Sequence, residues 1–392
     1  MKKSCAADGK DSKIIQYIAV KIRLHPTEEQ TELIEKTFSA CRYLWNKMLS
    51  DVQEFYAATD IHFIPTPARY KTEAPFLKEV DSQALTTTHQ QLRQAFLHFF
   101  RNPAAFQYPK FKKKKDKKDS FTVYCRQYCT GPSIRLNRAG IQMPKLGLIR
   151  TNVYRIIPAE WSVRYVTVTK SKSGKYFCSV TFGFEALKPE TILPVPETTL
   201  GLNYSLTRFY VDSEGGTPEL PAIAKSKEKL IYMQQKLSRM EQGSKNYEKQ
   251  LQKIRLLHEH IANQRRDFIH KESRRIANAW DAVCVRDSDL VELSQKLKPV
   301  NGNVMDISFG RFRLCLKYKL EQQGKQYIVV DRLAPVARTC HACGHVNEKL
   351  NTHDRNWICP NCGAVVSRAV NSAQNLRDMG LAQLQNKGKR VA

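Results

Sequence analysis

Residues 200–216 read L-G-L-N-Y-S-L-T-R-F-Y-V-D-S-E-G-G. Apolar residues lead in, and Asp212, Ser213, Glu214 and Gly215 supply turn chemistry, so the stretch predicts a strand, a tight turn and a second strand. Lys225 to Trp280 follows with helical periodicity, carrying Ile254, Leu257, Ile261 and Phe268 on its apolar side. Gly243 with Ser244 breaks it into two antiparallel helices; a coiled-coil dimer is the alternative, and the break favours the intramolecular hairpin. Asp281 to Val285 reads as a buried strand, Phe309 to Gln323 as a helix and Gln326 to Asp331 as a further strand.

The resulting order, β-β-α-β-α-β with a C-terminal helix, predicts an RNase H-like α/β sheet backed by helices. Upstream, Ile18, Val20, Ile22 and Leu24 alternate with Lys21, Arg23 and His25, a half-buried strand with a basic outer face. Pro26 stops it, and Thr27-Glu28-Glu29-Gln30 is a capping box that opens a helix with Ile34, Phe38, Cys41, Trp45 and Met48 as its stripe. A second helix starts near Asp81, with Leu85, Leu92, Phe96 and Phe99 on one face. His89 and His98 read as a water-facing surface. Residues 121–187 read as short strands with turn signals, a small barrel whose clearest hairpin runs S-V-R-Y-V-T-V-T, K-S-K-S-G-K, Y-F-C-S-V-T-F-G-F.

Cys340, Cys343, Cys359 and Cys362 stand as two C-x-x-C turns, each followed by a glycine. That is zinc-ribbon spacing: four thiolates take Zn²⁺ tetrahedrally in a closed structural site. Two redox pairs are the alternative, and redox motifs seldom come matched at this spacing. His341, His345 and His353 read as bystanders. The other seven cysteines are scattered over a long chain, which suits a reducing compartment.

Sixty-four Lys plus Arg against thirty-seven Asp plus Glu leave a net charge of +27 over 392 residues. Charge spread along the whole chain suits a polyphosphate partner better than a membrane surface, which draws charge onto one amphipathic helix or tail. Residues 106–121 carry seven lysines between Lys110 and Lys118, with Phe106, Tyr108 and Phe111 interleaved, a composition for phosphate contact and base stacking. No run of apolar residues is long enough to span a membrane, and the first residues lack a secretory apolar segment. The expectation is a cytoplasmic, nucleoid-associated bacterial protein with no membrane and no obligate protein partner.

Many ordered stretches carry a family resemblance: V-K-I-R-L-H-P-T-E-E-Q, C-R-Y-L-W-N-K-M-L, P-F-L-K-E-V-D-S-Q-A-L, F-F-R-N-P, P-K-F-K, M-P-K-L-G, K-L-S-R-M-E-Q-G-S-K-N, I-A-N-Q-R-R-D-F-I-H-K, F-R-L-C-L-K-Y-K-L-E-Q-Q-G and the ribbon. Nearly end to end the chain resembles TnpB, the transposon-encoded RNA-guided nucleases related to type V CRISPR effectors. The resemblance implies a multidomain α/β plus β-barrel protein. Residues 14–25 would be the first strand of a wedge barrel, 26–105 a helical recognition domain, and 106–192 the rest of the wedge. Residues 197–334 would form a RuvC-like (RNase H-like) domain, 335–366 an inserted zinc ribbon, and 367–392 the C-terminal RuvC segment and tail. It also implies a structured guide RNA, a double-stranded DNA target and a short motif beside it. Ser82, Gln83, Thr86 and Thr122 lie where the family reads that motif. Lys110, Lys112, Lys113, Lys114, Arg265, Arg266 and Arg274 are the expected phosphate contacts, about half of them neutral in effect.

The family's cutting residues do not carry over. Its G-x-D is Gly201-Leu202-Asn203 here, its V-E-D-L is Val285-Arg286-Asp287-Ser288, and its D-R-D-x-N-A-A is Ser367-Arg368-Ala369-Val370-Asn371-Ser372-Ala373. Metal-assisted phosphodiester hydrolysis needs paired Mg²⁺ held by carboxylates. A cation about 4 Å from a divalent ion, at an effective dielectric of about 20, costs about 8 kcal/mol, so Arg286 opposes metal binding outright. No catalytic Mg²⁺ is expected, and Arg286 would be free to pair with a phosphate instead. Rescue would have to come from Asp212, Asp287, Asp289, Glu292 or Asp331, and Asp287 points to the opposite face of its strand. The expectation is RNA-guided DNA binding without cleavage, leading to transcriptional repression. A divergent active endonuclease and a functionless transposon relic are the alternatives.

Overall fold

The computed structural model describes residues 13–114, 119–153, 156–205, 208–220, 223–287, 309–351 and 354–389. The chain divides into two compact units, residues 1–187 and 188–392. No helix among the described residues is long and apolar enough to cross a membrane.

The first unit opens with β1 (Lys13–His25). Thr27 then caps α1 (Glu28–Thr59): its hydroxyl accepts from the Gln30 amide while the Gln30 side chain accepts from the Thr27 amide, the expected reciprocal box. After α2 (Pro67–Glu73), Asp81 caps α3 (Ser82–Arg101). Strands β2 (Ser120–Tyr124), β3 (Gln127–Tyr128), β4 (Gly131–Pro132), β5 (Arg135–Leu136), β6 (Gly140–Met143), β7 (Gly147–Thr151), β8 (Ser162–Lys170) and β9 (Tyr176–Leu187) follow. Seven of the nine strands join in one sheet, ordered β2-β8-β9-β1-β7-β6-β5. In place of the expected small barrel's closure, no ladder among the described residues joins the edge strands β2 and β5. One core unites helices and sheet: Ile34, Phe38 and Leu85 pack with Phe121, Val166 and Val180, and the Phe38 and Phe121 rings meet at 5.4 Å.

The second unit is built on β10 (Thr199–Ser205), β11 (Phe209–Asp212), β12 (Ala282–Arg286) and β13 (Gln326–Val330), ordered β11-β10-β12-β13. β10 and β11 are antiparallel, whereas β10–β12 and β12–β13 are parallel. The turn chemistry at Asp212–Gly215 does not join β10 to β11, as the sequence suggested. It ends β11 instead, where Asp212 Oδ1 accepts from the amides of Glu214 and Gly216 and Gly215 has φ +83°.

Between β11 and β12, α4 (Ala224–Ser238) and α5 (Lys245–Ala279) form the predicted helical hairpin, broken at Gly243 (φ +85°) and restarted by the Ser244 cap. α6 (Phe309–Glu321) precedes β13, and α7 (Arg368–Lys389) ends the described chain. Strand alternation sorts the two faces of the sheet. Leu200, Leu202, Val283 and Val285 join Ile261, Phe268, Phe312 and Leu316 of α5 and α6. Gly201 and Cys284 face α7: a Cβ at Gly201 would land inside the Ala373 carbonyl, and one at Gly380 inside the Cys284 thiol.

Between α5 and α6 lies Lys319, only 2 % exposed, donating to the His270 carbonyl (2.6 Å) and the Ser273 hydroxyl (2.7 Å). Burial, aided by the nearby Arg274, lowers its pKa to about 8 from the ordinary 10.5. Between those values the unfolded chain keeps a proton that the folded chain has shed, so this group adds stability as pH rises from about 8 to 10.5. Lys319→Met is expected to flatten that rise and to gain on the order of 1–3 kcal/mol at neutral pH. Urea midpoints of the two proteins across this range check it, and parallel profiles would refute it.

Candidate functional site: a metal ribbon and an arginine-lined cleft

Each C-x-x-C of the ribbon closes a knuckle of the same form. The Gly344 amide donates to the Cys340 carbonyl and Cys340 N to the His345 carbonyl; Gly363 N donates to Cys359 and Cys359 N to Ala364. Gly344 and Gly363 have φ of +75° and +72°, which L side chains rarely adopt. The four Sγ atoms lie within 4.8 Å of one another. Cys340–Cys362 and Cys343–Cys359 are 3.8 and 3.6 Å apart. A tetrahedron of Zn–S bonds near 2.3 Å has edges of about 3.8 Å, so the donor set fits Zn²⁺. The His345 amide and the Asn361 side chain lower the Cys343 pKa, while the crowding of the other three thiols raises that of Cys362, a repulsion that a bound cation would relieve.

Around the site, β14 (Asn356–Ile358) pairs with β15 (Val365–Ser367), and Leu350, Trp357 and Val366 make a small core beside Cys340 and Cys359. The His341 ring nitrogen lies 2.8 Å from Asp378 of α7. His353 lies outside the described residues. Asn371 and Asn375, both buried, fasten the ribbon's base to α7: each donates to the Val336 and Thr339 carbonyls, and Asn371 also accepts from His341 N.

The positions of Asn203, Arg286, Ser367 and Ala369 come together. They line one cleft of about 740 Å³ at the C-terminal ends of the parallel strands, the end where open α/β sheets bind ligands. Asn203 and Arg286 stand one step beyond the Leu202–Val285 register pair, and Asn203 Nδ2 donates to the Ala369 carbonyl at 3.3 Å. The Arg286 guanidinium donates to the carbonyls of Arg332 (3.1 and 2.5 Å) and Ala334 (3.4 Å), acceptors that the sequence did not suggest.

None of the described candidate replacement acids lines the cleft. Asp287 follows the end of β12, its amide donating to the Val330 carbonyl. Asp212 is held in its turn, and Asp331 accepts from Leu333 N. Asp289, Glu292 and Ser288 lie outside the described residues. Among the described residues, the one carboxylate lining the cleft is Asp354, from the ribbon, which accepts from Asn351 N. No local pattern marks it. Against it stand Arg208, Arg286, Arg355 and Arg368.

Other expected contact residues have mixed surroundings. Thr122 is buried, with its hydroxyl 2.8 Å from that of Thr167. Ser82 is exposed, its carbonyl bonded by the Thr86 hydroxyl, and the Gln83 amide is oriented to accept from Arg126. Lys110, Lys113 and Lys114 are exposed. Lys112 lies 3.9 Å over the Trp45 ring, and its backbone exchanges two hydrogen bonds with Asn46. On α5, Arg274 is exposed, whereas Arg265 and Arg266 are half-buried.

Relatives share this chain over most of its length. A "Putative RNA-guided DNA endonuclease" of Streptomyces pristinaespiralis is 30% identical over 374 residues, covering 93% of this chain and 89% of that protein. The chain belongs to the TnpB (IS605 OrfB) family. "Putative RNA-guided DNA endonuclease InsQ" of Escherichia coli K12 is 28% identical over 389 residues, covering 93% of each. Family profiles match as "Cas12f1-like, TNB domain" over residues 309–376, "Probable transposase" over 185–295 and "Helix-turn-helix domain" over 16–60. The last segment folds here as β1 and the single long helix α1. The chain also shares its fold with the protein of the "Cas12f1-sgRNA-target DNA complex", at TM-score 0.57 and 12% identity, covering 94% of this chain and 99% of that one. Within this TnpB-family chain, Gly201, Asn371 and Ala373 have packing roles, whereas Asn203, Arg286, Ser367 and Ala369 line the cleft.

Proposed function

We propose that this TnpB-family chain is an RNA-guided DNA-binding protein that holds its target without cutting it. The observation that carries this reading is the cleft: among the described residues, four guanidinium groups and one carboxylate line the place where hydrolysis would need carboxylates paired around two metal ions. Selective loss also speaks for retained binding over decay. The glycine and asparagine that pack β10 and the ribbon onto α7 are kept, while the chemical positions are not.

In this reading residues 14–25 and 106–192 form the wedge, 26–105 the recognition domain, 197–334 with 367–392 the RuvC-like domain, and 335–366 the zinc ribbon. Guide pairing supplies sequence specificity, and the protein reads a short adjacent motif through the region of Ser82, Gln83 and Thr86. The relatives' names supply the guide RNA and the DNA target. The +27 charge suits both. A stable R-loop over a promoter then represses transcription.

The test is to express the protein with its flanking DNA, sequence the RNA that co-purifies, and offer guide-matched duplex. Binding without added Mg²⁺, with no nick when Mg²⁺ or Mn²⁺ is supplied, is expected; guide-dependent cutting would sink the reading.

A further inference from the structure

In the first unit, the side chain of Gln83 is held more firmly than its place in the first turn of α3 requires. Its Oε1 accepts from both Nε (3.1 Å) and Nη2 of Arg126, which stands between β2 and β3. Arg126 is itself anchored: its backbone N–H donates to the Ser133 hydroxyl and its carbonyl accepts from Ser133 N, each at 2.8 Å. On the helix side, the Gln83 backbone N–H donates to the Asp81 cap (2.8 Å), and its carbonyl accepts from the Thr87 hydroxyl (2.8 Å). Just upstream, the Lys145 ammonium holds the carbonyls of Lys78 and Glu79 (2.6 and 2.9 Å). Two fixed backbones thus meet through one amide oxygen. Among the described residues the Gln83 NH2 group has no acceptor.

We propose that Arg126 is a positioning residue that makes Gln83 a donor-only reader of the motif beside the target, selecting one keto base, guanine or thymine, in the major groove. This rests on the reading that the region of Ser82, Gln83 and Thr86 meets that motif. A free glutamine reads adenine with both ends of its amide, donating to N7 and accepting from the N6 amino group. With Oε1 committed to Arg126, only donation is left. Guanine O6 and N7 and thymine O4 accept such a donor. Cytosine offers the groove only the donor at N4, and adenine turns its N6 amino group against the amide N–H. The guanidinium therefore decides the base that Gln83 chooses without touching that base.

The experiment uses the full chain with its co-purified RNA and, as probe, a pool of duplexes that match the guide in that RNA and carry randomised base pairs on both flanks. Bound duplexes are separated and sequenced. At one flanking position the wild type is expected to enrich guanine or thymine about tenfold over adenine and cytosine, the discrimination of one good base contact. Arg126→Ala frees Oε1, so adenine should rise to parity or above at that position, and Arg126→Lys should keep the wild-type choice. Gln83→Glu places an acceptor beside the same guanidinium and should turn the choice to the amino bases, adenine and cytosine. Melting temperatures establish that the variants are folded, and a merely structural role would weaken binding without changing which base is chosen. An unchanged base choice in Arg126→Ala or in Gln83→Glu overturns the inference. Failure of the wild type to bind any guide-matched duplex would strike the functional reading and this inference with it, whereas binding with a flank preference indifferent to Arg126 strikes the inference alone.

Discussion

Cys359→Ser is expected to empty the ribbon of zinc and unfold it. Cys359 is only 1 % exposed, its thiol lies 3.6 Å from that of Cys343, and the small core around Leu350, Trp357 and Val366 cannot hold the segment alone. Metal binding is folding free energy in a site of this kind, on the order of 10 kcal/mol for structural zinc. The effect should travel into α7, because Asn371 and Asn375 would lose the Val336 and Thr339 carbonyls and become buried amides without acceptors. Metal analysis of the purified protein should show zinc in the wild type and almost none in the variant, and limited proteolysis should cut between residues 340 and 366. Full zinc occupancy in the serine variant would refute the assignment of Cys359 as a ligand.

Gly201→Ala has the second largest expected effect. The added methyl group would penetrate the Ala373 carbonyl of α7. Both partners are backbone, one in a central strand and the other in a helix, so no side chain can swing away. Overpacking of this kind typically costs about 1–3 kcal/mol, and the rigidity here puts the substitution at the upper end or beyond. Gly243→Ala is the matched control. Nothing lies within 4 Å of the new Cβ there, and the only cost is the left-handed φ of +85°, on the order of 1 kcal/mol. The thermal midpoint should fall well below wild type for Gly201→Ala and only slightly for Gly243→Ala. Equal shifts would mean that α7 can slide on β10.

This close approach shows how far the chain could be read before it was folded. Caps, knuckles and strand alternation are decided within a few residues, where steric and hydrogen-bonding preferences act directly. Hence Thr27, Asp81 and Ser244 open helices as expected, and the ribbon cysteines meet in a closed set.

Turn chemistry was less informative about place: Asp212–Gly215 marks the end of β11 and not the β10–β11 connection, because turn residues show that a chain bends without specifying which strands the bend separates. The long-range set was not legible at all. Asp354 reaches the cleft from the ribbon, Arg208 from a hairpin and Arg368 from the first turn of α7, while Arg286 is oriented by carbonyls some 46 positions away. The sequence by itself determined most of the elements, the four-cysteine donor set and the residue types at Asn203, Arg286, Ser367 and Ala369, since each is a matter of residue type and short spacing. Only the tertiary structure decided that Asn203, Arg286, Ser367 and Ala369 share one cleft with four arginines, since packing α7 and the ribbon against the sheet brings together residues that have no local reason to meet.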